Sequence, residues 1–158
     1  AQLAAYLELE QEQIRIARTP DQLFELLSTA RANHDRCVID LPAIVPFDAE
    51  DMASLTDLVA AIDAEPVLVI SAEGHPDDLA DAARAFADAG VRRAIVSKLD
   101  VTRRRGGIVA ALSGAGIAFA HLGVTPFIGG GLVPATPARL SKILLEEAPA
   151  DFALRGAA

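Results

Sequence analysis

Three short apolar runs, Val67-Leu68-Val69-Ile70-Ser71, Val91 to Ser97 and Ile117 to Gly123, alternate with segments whose apolar residues recur at helical spacing. That alternation constrains the fold more than any other feature. Strands separated by helical stretches of about ten to fifteen residues cannot close as hairpins; they need crossovers that lay helices on a parallel sheet. Asp48 to Ala64 reads as a helix with Met52, Leu55, Leu58, Val59 and Ile62 inward. Asp77 to Ala89 reads as another, stopped by Gly90, the residue type that most easily adopts the left-handed turn after a helix. Gly107 to Gly116 and Thr136 to Glu147 complete the set, with Thr136 as cap and Pro137 in the first turn. Upstream, Leu3, Tyr6, Leu7 and Leu9 have near-helical spacing, and Ile14-Arg15-Ile16-Ala17 alternates as a short strand does. Thr19-Pro20-Asp21 opens a helix burying Leu23, Phe24, Leu26, Leu27 and Ala30. Cys37-Val38-Ile39-Asp40-Leu41 reads as a buried strand ending in a carboxylate, and Val67 to Ser71 as one buried on both faces. The expected class is α/β: a three-layer parallel sheet with helices on both faces, in one domain over residues 1–158.

Composition agrees and excludes several functions. At 158 residues and 52% apolar, with 4% aromatic and no Trp, the chain has the small aliphatic content of helices packed on a parallel sheet. A net charge of −8 excludes a broad electrostatic grip on nucleic acid or anionic lipid. The single Cys37 offers no disulfide, and with His34, His75 and His121 it does not make metal-ligand spacing. No run approaches the ~18 apolar residues of a membrane span, and no signal peptide opens the chain. A cytoplasmic protein is expected. Because Ala1 already stands inside a helix-like pattern, the expectation is a piece of a longer protein.

In an open parallel sheet, ligands bind beyond the carboxyl ends of the strands. Asp40 to Val45, Ser71 to His75, Ser97 to Gly107 and Gly129-Gly130-Gly131 fall at such ends and are expected on one rim. Ser97-Lys98-Leu99-Asp100 carries the chemistry. An Asp carboxylate accepts two hydrogen bonds from the N1–H and N2–H edge of guanine, whereas adenine presents an acceptor at N1. An unpaired buried polar group costs roughly 1–3 kcal/mol, so one Asp discriminates between the bases. The Lys stem can lie along the purine face, and the Ser hydroxyl can pin the turn. The same four residues also arise as a strand end with solvated charges, and context has to decide. Gly129 to Gly131 offer backbone N–H groups to a ligand or form an ordinary loop. His75, beside Pro76, reads as a helix-start residue rather than a catalyst. Arg103-Arg104-Arg105 is a solvated run or a phosphate or partner contact. Lys98 and Lys142 are the only lysines, and no Gly-x-x-x-x-Gly-Lys-[Ser/Thr] phosphate loop occurs.

With these residues in view, the chain from Ala1 to about Glu147 resembles the second half of the GTPase domain of signal-recognition-particle-type GTPases, closest to the flagellar-placement branch, FlhF. Ser97-Lys98-Leu99-Asp100 is similar to the family's Thr-Lys-x-Asp base motif, and Gly106-Gly107 to the glycine pair after it. Phe127-Ile128-Gly129-Gly130-Gly131 resembles the closing loop beside the guanine, and Ala135-Thr136-Pro137-Ala138-Arg139-Leu140 the FlhF ending. Val38-Ile39-Asp40 stands where the family has Asp-Thr-Ala-Gly-Arg, but Leu41-Pro42-Ala43-Ile44 keeps only the Asp. The resemblance implies a partial P-loop NTPase fold lacking the phosphate-loop segment. It implies GTP or GDP bound through Ser97, Lys98, Asp100, Gly129, Gly130 and Gly131, with Asp40 toward phosphate and metal. Mg²⁺ would need the family's upstream half, and the altered stretch after Asp40 predicts impaired hydrolysis. It further implies a parent in protein targeting or flagellum assembly that homodimerises or pairs with a related GTPase, peripherally at the inner face of the membrane. Two alternatives stand beside it: a nucleotide-free pseudo-GTPase interaction module, and a deviant ParA/MinD-type ATPase half, whose adenine specificity conflicts with Asp100.

Overall fold

The computed structural model describes residues 14–33, 37–126 and 131–145. The chain divides into two compact units, Ala1–Ala43 and Ile44–Ala158.

In the first unit, helix α1 spans Pro20–Asn33. Thr19 caps it: its Oγ1 accepts from the Gln22 amide at 3.3 Å, while Gln22 Oε1 accepts from the Arg18 amide at 2.9 Å. The expected buried face is not formed. No residue of α1 is buried, and Phe24 is 40% exposed. Two further expectations fail. Ile14–Ala17 and Cys37–Leu41 are in no strand, and Val38 is 96% exposed with Cys37 and Asp40 also exposed. An apolar β-branched run is a strand only where a neighbour pairs its backbone groups, and no described strand pairs with either stretch.

The second unit contains the rest of the order: α2 (Ala49–Ile62), β1 (Val67–Ser71), α3 (Pro76–Asp88), β2 (Arg93–Ser97), α4 (Gly106–Gly114), β3 (Ala118–Gly123), β4 (Leu132–Pro134) and α5 (Pro137–Leu145). The four strands form one open sheet in the order β1-β2-β3-β4. β1 and β2 are parallel with Ser71 opposite Ser97, and β2 and β3 are parallel with Val96 opposite Leu122. The short β4 returns antiparallel, Gly123 facing Leu132. The alternation of runs and helices thus yields an α/β fold with a mostly parallel sheet. β4 was not expected: three residues ending in Pro134 carry no period of their own.

Local chemistry sets the helix bounds. The Asp48 carboxylate caps α2 by accepting from the amides of Glu50 and Asp51 at 2.9 and 3.0 Å. His75 caps α3, Nδ1 accepting from the Asp77 amide at 3.3 Å, with Pro76 at the first position. Gly90 stops α3 at φ 93°, and the Val91 amide then reaches the Phe86 carbonyl at 3.0 Å. Thr136 Oγ1 accepts from the Arg139 amide at 3.3 Å, starting α5.

The core joins α3, α4, β2 and β3. Ala83, Ala94, Val96, Leu112 and Leu122 are fully buried, Ile108 lies among them, and Leu140 and Ile143 of α5 pack against the cluster. The expectation that β1 is buried on both faces is corrected: Val67 and Val69 are 44% and 67% exposed, alternating with partly buried Leu68 and Ile70. Successive side chains of a strand point to opposite faces, so the exposed Val67 and Val69 lie on an uncovered face, and among the described residues β1 is also an edge strand. Among the described residues no helix is long and apolar enough to cross a membrane.

Candidate functional site

The parallel register brings Ser71, Ser97 and Gly123 to the same end of the sheet. Ser97 binds the two strand ends together: its Oγ donates to the Ile70 carbonyl at 3.3 Å, and its own carbonyl accepts from the Ala72 amide at 3.0 Å. The backbone then turns through Lys98 at φ 61°, a left-handed conformation that costs a residue with a Cβ about 1 kcal/mol. Surrounding bonds hold it there. The Thr102 hydroxyl, in a buried residue, donates to the Lys98 carbonyl at 2.7 Å, and the Leu99 amide donates to the Gly123 carbonyl at 3.1 Å. Leu99 is only 4% exposed and anchors the turn in the core. Gly123 allows a close approach, because a Cβ there would lie 3.3 Å from Ser97 Cα and would have to push the backbone apart by a few tenths of an ångström.

Asp100 follows half-buried in the turn. Among the described residues no hydrogen bond or ion pair engages its carboxylate. Lys98 Nζ lies 2.5 Å from Glu73 Oε2. The hydrogen bond from Lys98 holds the Glu73 carboxyl below its ordinary range, with the lysine charge and Ser71 Oγ assisting against desolvation. A depressed carboxylate keeps the pair intact above the ordinary carboxylate range and loses it only as pH falls through Glu73's lowered value.

Arg105 does not point to phosphate chemistry. Its Nε donates to the carbonyls of Leu99 and Thr102, both at 3.0 Å, and one terminal nitrogen donates to the Ile143 carbonyl at 2.9 Å. It fastens the loop after β2 to α5. Arg103 and Arg104 are exposed.

The structure therefore brings together Ser97, Lys98 and Asp100 with the loop after β1. Gly131 is buried and accepts from the Val124 amide at 3.0 Å, one residue beyond the Gly123 that holds Leu99. Gly129 and Gly130 lie outside the described residues. Asp40 belongs to the first unit, exposed and outside any strand, so the expected strand-end carboxylate is not formed there. Sequence reasoning missed Glu73. The available signal was an acid two residues past the end of one strand, level with a lysine one residue past the end of its neighbour.

An open groove of about 590 Å³ lies elsewhere, where Pro46, Phe47 and Met52 meet Ala85 and Asp88. No residue of the Ser97–Asp100 motif lines it.

No family model matches the chain, and no curated protein matches it.

Proposed function

We propose that this chain is a guanine-nucleotide-binding module, a partial GTPase-like domain of the signal-recognition-particle and FlhF type that contributes base recognition rather than turnover. The observation that carries the reading is Lys98 held at φ 61° between Ser97 and a half-buried Asp100, at the carboxyl end of an interior parallel strand. Non-glycine residues in that conformation also end helices, as Asp63 does after α2 at φ 49°, but they cluster at ligand sites where surrounding bonds over-determine them. Asp100 would accept the N1–H and N2–H edge of guanine, Lys98 would cover the purine face, and Gly131 with its neighbours would line the far side. Asp40 keeps the acidic residue that the resemblance assigns to phosphate and metal, and Leu41 to Ile44 offer neither the glycine nor the arginine that hydrolysis uses in the family. By the same resemblance, the protein would work in protein targeting or flagellum assembly, as a homodimer or with a related GTPase, at the inner face of a membrane.

Titration of the full chain with mant-GDP tests this. Saturable binding is expected, and Asp100→Asn should lose it and acquire xanthosine diphosphate, whose base has a carbonyl where guanine has its amino group. No binding up to millimolar GDP overturns the reading. A second reading, a nucleotide-free interaction module, is favoured by one observation: the apolar edge formed by Val67 and Val69 on β1.

A further inference from the structure

Ser71, Glu73 and Lys98 form one chain of contacts at the mouth of this site. Ser71 Oγ donates to Glu73 Oε2 at 3.4 Å, the Glu73 amide donates to Ser71 Oγ at 3.2 Å, and Lys98 Nζ stands 2.5 Å from the same carboxylate oxygen. We propose that this pairing makes the site a receptor for the guanine base and its nucleoside, with the phosphates of a nucleotide adding little to affinity. The inference rests on the guanine reading and goes beyond it by naming the part of the ligand that is recognised.

The argument is one of charge. A lysine binds phosphate as a point charge. A phosphate oxygen that reaches Lys98 Nζ also comes within a few ångströms of the Glu73 carboxylate, well inside a Debye length of about 8 Å, so attraction and repulsion largely cancel. Opening the pair does not remove the carboxylate, because Ser71 ties residue 73 to the end of β1 at both its amide and its side chain. Base recognition escapes this cancellation. The Lys98 stem is held at its root by the backbone and at its tip by Glu73, leaving its methylenes as an apolar surface, and Asp100 supplies the acceptors. Arg105 is committed to three carbonyls. Arg103 and Arg104, exposed farther along the loop, are the cations that would restore phosphate dependence were the inference wrong.

Calorimetric titration of the full chain and of Glu73→Gln, each with guanosine and with GDP, provides the test. In the wild-type chain the two dissociation constants should agree within about threefold. In Glu73→Gln, which keeps the hydrogen-bonding shape but releases the ammonium charge, GDP should bind about tenfold more tightly than guanosine. Taking the ratio within one variant cancels any change in the folded fraction. Tighter GDP binding by wild type beyond that threefold margin overturns the inference and leaves the guanine reading standing, as does a ratio unchanged by Glu73→Gln. If wild type binds neither ligand, or binds adenosine as well as guanosine, the guanine reading fails and takes this inference with it.

Discussion

Lys98 carries two opposed demands. Its backbone sits where glycine would be relaxed, while its side chain pairs with Glu73 and borders the proposed guanine site. Lys98→Gly should therefore leave stability within about 0.5 kcal/mol of wild type, since relief of the left-handed strain offsets the lost half-exposed ion pair and the added chain entropy of glycine. The same change should abolish mant-GDP binding. Chemical denaturation read beside the titration checks both halves, and a Lys98→Gly destabilised by more than about 1 kcal/mol would show that the turn is not strained. The residue scale is also where sequence reading was strongest and weakest. Ser97-Lys98-Leu99-Asp100 was legible as a strand end, because an apolar run that gives way to polar and charged residues marks where β2 stops. Glu73 was not legible, because nothing in Ser71-Ala72-Glu73 reveals which neighbouring strand end it faces until the register is known.

Among the elements, the Arg105 side chain hydrogen-bonds the loop after β2 to α5. Arg105 donates to Leu99 and Thr102 on one side and to Ile143 on the other. A hydrogen bond to a charged group contributes about 1.5–3 kcal/mol and such contributions are not additive, so Arg105→Ala should lower stability by at least about 2 kcal/mol, while Arg103→Ala should leave it within about 0.5 kcal/mol. Thermal or denaturant unfolding distinguishes them, and equal effects would refute the assignment of Arg105 as the fastening residue. Helix starts and stops were read well from sequence because caps are local: Thr19, Gly90, Pro137 and Thr136 act within four residues of themselves. Strands depend on partners that are remote in sequence. Cys37–Leu41 has the composition of a buried strand yet forms none, whereas Leu132–Pro134, with no such pattern, pairs with β3 because the chain returns beside it.

For the second unit as a whole, the sheet is asymmetric. β4 flanks one side with an antiparallel strand that ends at Pro134, a residue with no amide hydrogen to offer. The other side ends on β1 with Val67 and Val69 exposed and no charged residue between Val67 and Ser71. Unprotected apolar edges are templates for pairing with another strand. Val69→Lys should reduce self-association of the chain at high concentration without lowering its melting temperature, as analytical ultracentrifugation beside a thermal scan would show. Unchanged association would remove the edge as its cause, and with it the observation favouring an interaction module.

The turn at Lys98 to Thr102 is secured before any ligand arrives: Leu99 to Gly123, Thr102 to Lys98, and Arg105 across to Ile143. Its conformational entropy is spent during folding. Ligand capture then requires little ordering of this segment, so association should follow simple bimolecular kinetics with no slow unimolecular phase arising from it.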